Sequence, residues 1–180
     1  MAKRTYKSDV GAIPKIVDNF KPKTLNQRVF HDIISDVETQ LVLCHGIAGT
    51  GKTYVSIYKA LQDVLRRGTP YDKLIIINPT VDVGNEDKLG FLPGELSAKI
   101  QQYNESTFTI LDKIIGKARA GKMIADNKIE IGVLNFLRGT NLENCYVILD
   151  EAQNVSPMQI KTLMTRISEN CKMIIQGDMS

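Results

Sequence analysis

Several features are missing from this 180-residue chain, and each absence narrows what it can be. No apolar run approaches the roughly 18 residues of a membrane-spanning helix, and no signal-peptide pattern stands at the N-terminus. There is no internal repeat and no low-complexity tract. Cysteine is scarce: Cys44, Cys145 and Cys171 are odd in number and each lies in or beside an apolar run. They form no disulfide framework and have no zinc-ligand spacing, so they read as small buried hydrophobes in a reducing compartment. The two histidines, His31 and His45, have no catalytic partner close in sequence. The expectation is one soluble domain with no membrane partner, cytoplasmic, or in a host cytoplasm if the source is a virus. A chain of this length buries roughly 70% of its unfolded surface.

Charge is unevenly spread. Residues 1–28 carry Lys3, Arg4, Lys7, Lys15, Lys21, Lys23 and Arg28 against Asp9 and Asp18, while the whole chain is only +3. The remainder is therefore slightly acidic. A basic arm over 1–23, with Tyr6 and Phe20 interleaved, suits either contact with nucleic acid or a solvated terminus. Lys113, Lys117, Arg119 and Lys122 offer a second basic patch, readable as an RNA-binding face or as a charged helix end.

Over 24–180 strand and helix patterns alternate. Leu25, Val29, Ile33, Ile34 and Val37 have helical spacing, as do Leu96 through Ile115 with a break expected near Ser106. Leu41–Cys44, Lys73–Asn78, Lys128–Ile131, Tyr146–Leu149 and Lys172–Ile175 read as strands. A helix is expected from Pro157 to Ser168, with Ser156 as its cap. Strands that are apolar throughout are buried on both faces. The pattern predicts an α/β fold of three layers, α/β/α, with a mostly parallel sheet.

Between the first strand and its helix stands Gly46-Ile47-Ala48-Gly49-Thr50-Gly51-Lys52-Thr53, which fits G-x-x-x-x-G-K-[ST], the P-loop. A strand feeding a glycine-rich turn into a helix N-terminus aims several N–H groups, and the helix dipole, at one polyphosphate. Lys52 would reach the β- and γ-phosphates, and the Thr53 hydroxyl would ligate Mg²⁺. About a hundred residues later, Tyr146-Val147-Ile148-Leu149-Asp150-Glu151 resembles a Walker B strand. Asp150 would hold the Mg²⁺, which favours oxygen ligands, and Glu151 would deprotonate the attacking water.

The second motif continues as Asp150-Glu151-Ala152-Gln153-Asn154, and DEAQN resembles the hallmark of PhoH-like proteins. The loop GIAGTGKT, the block Gly90-Phe91-Leu92-Pro93-Gly94 with Lys99-Ile100, Phe136-Leu137-Arg138-Gly139-Thr140, Leu163-Met164-Thr165-Arg166 and Gln176-Gly177-Asp178 resemble the same family in order. The resemblance implies a RecA-like P-loop ATPase core related to superfamily 1 helicases. It further implies ATP and Mg²⁺ as ligands, RNA or single-stranded nucleic acid as a partner, and assembly into a homo-oligomeric ring, with a hexamer as one candidate. An alternative from another class is a nucleotide-dependent switch or assembly factor with little turnover. Gln27 would read the adenine edge, Gln176 would sense the γ-phosphate, and Arg166, ahead of Arg138, would serve a neighbouring subunit as its arginine finger. The chain departs from the family at Asn78, where arginine usually precedes the proline, and at Asn141, where the turn is usually basic. It also stops at Ser180, before the GDxxQ segment would finish. A parallel sheet lacking a last strand would leave an edge unpaired beside the P-loop strand, so an incomplete or partner-completed domain is expected.

Overall fold

A computed structural model describes residues 16–79, 104–132 and 141–178. The GFLPG block, the first part of the 96–115 helix, Arg138 and its turn, and Tyr6 with the first four basic residues of the arm lie outside the described residues. The described elements, in chain order, are α1 (Leu25–Ser35), β1 (Leu41–His45), α2 (Lys52–Leu65), β2 (Lys73–Ile77), α3 (Glu105–Ile115), α4 (Lys117–Ala125), β3 (Ile129–Gly132), β4 (Cys145–Leu149), a 3₁₀ turn (Ala152–Asn154), α5 (Pro157–Met164) and β5 (Lys172–Gly177).

All five strands pair in parallel in the order β1-β5-β4-β2-β3. Every residue of β4 is buried, as are Leu74 to Ile77 of β2 and Lys172 to Gln176 of β5. That is why these runs are apolar without alternation: helices cover both faces. On one face Ile34 of α1, Val55, Ile57 and Leu61 of α2, Leu111 and Ile114 of α3 and Met123 of α4 pack against Leu74, Ile76, Ile148 and Ile174. On the other, Leu163 of α5 with Leu142 and Val155 covers Ile75, Val147, Leu149, Met173 and Ile175. The three-layer α/β/α arrangement is the expected one. Among the described residues no helix is long and apolar enough to cross a membrane.

Two local readings are corrected by packing. Helix α1 forms, capped by the Thr24 side chain, which accepts from the Gln27 N–H. Of its expected stripe, however, only Ile34 is buried: Leu25, Val29, Ile33 and Val37 are exposed, and Phe30, outside the stripe, joins Ile34 on the core. Helix α5 has the expected Ser156 cap, completed into a capping box by Gln159, but it ends at Met164 rather than Ser168. The chain there is drawn into pairing with residue 142: the Leu142 N–H donates to the Arg166 carbonyl (2.9 Å) and the Ser168 N–H to the Leu142 carbonyl (3.0 Å). The break expected near Ser106 falls where α3 begins, at Glu105 after Asn104; what precedes Asn104 lies outside the described residues.

Phe20 does not stand ready for a nucleic-acid base. Its ring packs 5.2 Å from those of both Tyr54 and Tyr58 on α2. Val17 and Asp18 donate their N–H groups to the Ile114 carbonyl, and the Tyr54 hydroxyl donates to the Asp18 carboxylate. Burial, then that carboxylate, pushes the Tyr54 phenol well above its ordinary range. The basic patch over 113–122 is also divided. Gly116 ends α3, and the Lys113 ammonium lies 5.1 Å over the Tyr54 ring. Cys145 and Cys171 are buried as expected, with sulfurs 3.4 Å apart at the start of β4 and just before β5, whereas Cys44 is half-buried.

Candidate nucleotide-binding site

Parallel strands end at one edge of the sheet, and β1, β5 and β4, being adjacent, deliver their C-terminal residues to one place. From β1 the chain enters the loop Gly46–Gly51 and then α2. Gly49 and Gly51 have φ of 77° and 86°, left-handed values that glycine adopts without a Cβ penalty. This turn aims the first N–H groups of α2 into the concavity. The Lys52 ammonium folds over the loop, 2.6 Å from the Gly46 carbonyl and 3.1 Å from that of Ile47. The Thr50 hydroxyl donates to the same Ile47 carbonyl at 2.8 Å. Ala48 and Ile47 sit at the exposed crest.

Thr53 and Asp150, 97 positions apart, meet here: the Thr53 hydroxyl donates to Asp150 Oδ2 at 2.9 Å. Gln176, fully buried, lies between them. Its Nε2 donates to Asp150 Oδ1 at 2.8 Å and to Thr53 Oγ1 at 3.2 Å, while its Oε1 accepts from the Ser56 hydroxyl at 2.5 Å. Ser56 was not read as a site residue. The signal was available, since it lies one helical turn beyond Thr53, a polar side chain within the run Val55-Ser56-Ile57.

The donor set suits a magnesium-bound triphosphate. A hydroxyl and a carboxylate oxygen within hydrogen-bond distance are the hard ligands Mg²⁺ takes, leaving its other positions to water and phosphate. Among the described residues no group of three or more His, Cys, Asp or Glu side chains could hold a metal, so this is no all-protein cage. The space where a Cβ would stand on Gly49 is open, with nothing within 4 Å.

Glu151 follows Asp150 at the strand end, half-buried, with φ 49° and ψ 42°. Gln153 is beside it, its Nε2 2.5 Å from Glu151 Oε2; the sequence pattern named Gln153 only as part of a motif. Gln27 lies against the outside of the loop. Its Oε1 accepts from the Lys23 N–H (2.8 Å) and its Nε2 donates to the Thr50 carbonyl (3.0 Å). In this arrangement it braces the P-loop. Arg166 lies at the opposite end of the sheet, beside Leu142 and ahead of β5, away from the P-loop of its own chain.

Comparison with known proteins points the same way as the geometry. A sequence profile described as PhoH-like protein matches residues 19–180. The PhoH-like protein of Bacillus subtilis (strain 168) is 38% identical over 162 residues, covering 90% of this chain and 49% of that protein. The PhoH-like protein of Synechocystis sp. is 36% identical over 160 residues, covering 89% and 47%. Protein PhoH of Escherichia coli (strain K12) is 32% identical over 157 residues, covering 86% and 43%. The chain thus spans about half the length of the curated relatives it matches. Among solved structures, C. elegans PCH-2 covers 84% of this chain and 36% of its own at 14% identity and a TM-score of 0.35, a likeness too loose to add to the case. The profile takes in the P-loop, the Asp150–Glu151 strand end and the Gln176 strand alike, and by that match the chain belongs to the PhoH-like family, with an α/β P-loop NTPase fold.

Proposed function

We propose that this chain binds ATP with Mg²⁺ and hydrolyses it, and that hydrolysis is coupled to remodelling of RNA or other nucleic acid. The observation that carries the reading is the Thr53–Asp150–Gln176 cluster at the mouth of the P-loop. In this reading Lys52 leaves the Gly46 and Ile47 carbonyls for the β- and γ-phosphates. Thr53 and Asp150 would hold the metal, which would supply neutralisation of the phosphate charge. Glu151 takes the proton of the attacking water. Gln176, in contact with both metal-binding side chains, registers whether the γ-phosphate is present.

A second reading, a nucleotide-dependent switch with little turnover, draws on the position of Arg166. A single core whose candidate arginine lies at the far end of its sheet depends on a neighbour for that charge, and hydrolysis by an isolated copy is slow. In the favoured reading a ring of like subunits supplies Arg166 in trans. The deciding experiment is the ATPase rate with and without RNA. Stimulation by RNA supports coupling; ATP binding with a negligible rate under both conditions supports the switch; absence of ATP binding sinks both.

A further inference from the structure

We propose that Gln153 is the positioning residue for Glu151, and that it ties the aim of that carboxylate to the end of β5. The inference rests on the reading of Glu151 as the general base. It starts from a conformation. Glu151 is one of four non-glycine residues with positive φ among those described, and left-handed backbone at a side-chain-bearing residue persists only where its surroundings hold it. Here the hold is specific. The Glu151 N–H donates to Asp150 Oδ1 at 3.1 Å. The 3₁₀ turn then folds the chain back, with the Asn154 N–H on the Glu151 carbonyl (3.0 Å) and the Val155 N–H on that of Ala152 (3.1 Å). Val155 anchors the turn in the second core.

That reversal brings the Gln153 amide over the Glu151 side chain. Nε2 donates to Glu151 Oε2 at 2.5 Å, and Oε1 of the same amide accepts from the Asp178 N–H at 2.9 Å. The partners settle the orientation of the amide, because a carboxylate only accepts and a backbone N–H only donates. The amide group is planar, so its two ends cannot move independently: a shift of Asp178 is a shift of Glu151's partner. The space is matched as well. A Cβ on Gly177 would stand 2.8 Å from Gln153 Oε1 and 3.3 Å from the Gln153 nitrogen, closer than an alanine there could sit unless Gln153 moved.

Chemically, a neutral amide suits the task. It holds one carboxylate oxygen, leaves Glu151 Oε1 to accept a proton, and offers no exchangeable charge that would compete for it. A free glutamate would sample many rotamers, and misplacing a reacting group by about an ångström can cost on the order of 10²-fold in rate. The strand that carries Gln176 into the metal pair is the strand whose end holds Gln153, through the Asp178 N–H and the space left at Gly177. One strand end therefore touches the metal-binding side chains directly and reaches the base through Gln153.

The test uses the whole chain, with steady-state hydrolysis at saturating Mg-ATP and ATP affinity from a fluorescent analogue. Gln153→Ala should lower kcat about 10- to 100-fold with ATP affinity within about twofold. Gln153→Glu, similar in shape but repelling Glu151, should lose at least as much, and Gly177→Ala should resemble Gln153→Ala. In a Glu151→Gln background the Gln153→Ala change should have no further effect, since a residue acting through the carboxylate has nothing left to position. The inference is overturned if Gln153→Ala keeps kcat, if it costs the same factor in the Glu151→Gln background, or if ATP affinity falls as far as kcat. A wild-type chain that hydrolyses no ATP takes down the function reading and this inference together. A wild-type chain that hydrolyses ATP, is crippled by Glu151→Gln and is indifferent to Gln153→Ala refutes this inference alone.

Discussion

Strand β5 starts at Lys172 and carries Gln176 near its other end, and both side chains are buried, 1% and 0% exposed. The Lys172 ammonium donates to the main-chain carbonyls of Ile34 (2.8 Å) and Asp36 (2.6 Å). It closes the last turn of α1 onto the sheet, and burial lowers its pKa. Nearby, Lys59 and Asp63 pair at 2.5 Å, one turn apart on α2. Gln176, by contrast, bonds only to side chains: Thr53, Asp150 and Ser56. Main-chain carbonyls inside a helix end have nowhere to go, so the Lys172 contacts are structural. Hydroxyl and carboxylate partners can exchange one another for a metal or a phosphate, so the Gln176 contacts suit a ligand. Burial of a polar group does not by itself mark function; the kind of partner does.

The comparison can be broken at either end. The largest effect belongs to Lys52→Ala, which should abolish measurable ATP binding and hydrolysis while the thermal midpoint stays near wild type. Unchanged ATP affinity by titration would overturn the P-loop assignment. Next comes Arg166, which lies at the structural end of its own sheet yet is assigned a role at a neighbour's site. A trans arginine is worth about 10³–10⁵ in rate, so hydrolysis per subunit should rise with protein concentration. Mixing Arg166→Ala with Lys52→Ala chains should restore activity at interfaces that combine an intact loop with an intact arginine. A rate independent of concentration, with no rescue, would return Arg166 to the structural class.

Glu151→Gln should slow turnover by about 10²–10⁴-fold, the usual worth of a general base, and leave ATP bound, as read by equilibrium binding beside single-turnover hydrolysis. Lys172→Met belongs to the other class. Taking the ammonium away leaves the Ile34 and Asp36 carbonyls only the longer bonds from the Tyr146 hydroxyl (3.4 Å) and the Thr39 N–H (3.3 Å), which should cost about 1–3 kcal/mol in chemical denaturation, with kcat unchanged wherever the protein is folded. Smallest is Gln27→Ala, worth about 2- to 10-fold in nucleotide affinity for one lost hydrogen bond. Equal losses for ATP and GTP would mean that Gln27 only braces Thr50; a loss confined to ATP would mean that it reads adenine.

The sheet was legible because β2, β4 and β5 each carry an unbroken apolar run, and the two motifs because phosphate and metal chemistry demand particular residues at strand ends. The exposed sides were harder to see. Leu41-Val42-Leu43 reads like any central strand, yet among the described residues β1 is at an edge, and Leu43 is 70% exposed while Val42 is buried. The stripe on α1 has core spacing but, Ile34 apart, faces outward, since periodicity reports a face without saying what lies opposite. Phe20 and Lys113 were read as surface groups because the pull of Tyr54 comes from across the fold. Ser56 and Gln153 act through contacts 120 and 25 positions away, which no local pattern contains.

The edge position of β1 also sets the timing of the site. Among the described residues β1 pairs on one side only, with β5, whereas β4 pairs on both. Opening β1 breaks one ladder and exposes little core, so its amides should exchange with deuterium well before those of β4. The loop proposed to grip the triphosphate therefore hangs from an edge strand among the described residues, and slowed exchange across Leu41–His45 should be the first sign that nucleotide has arrived.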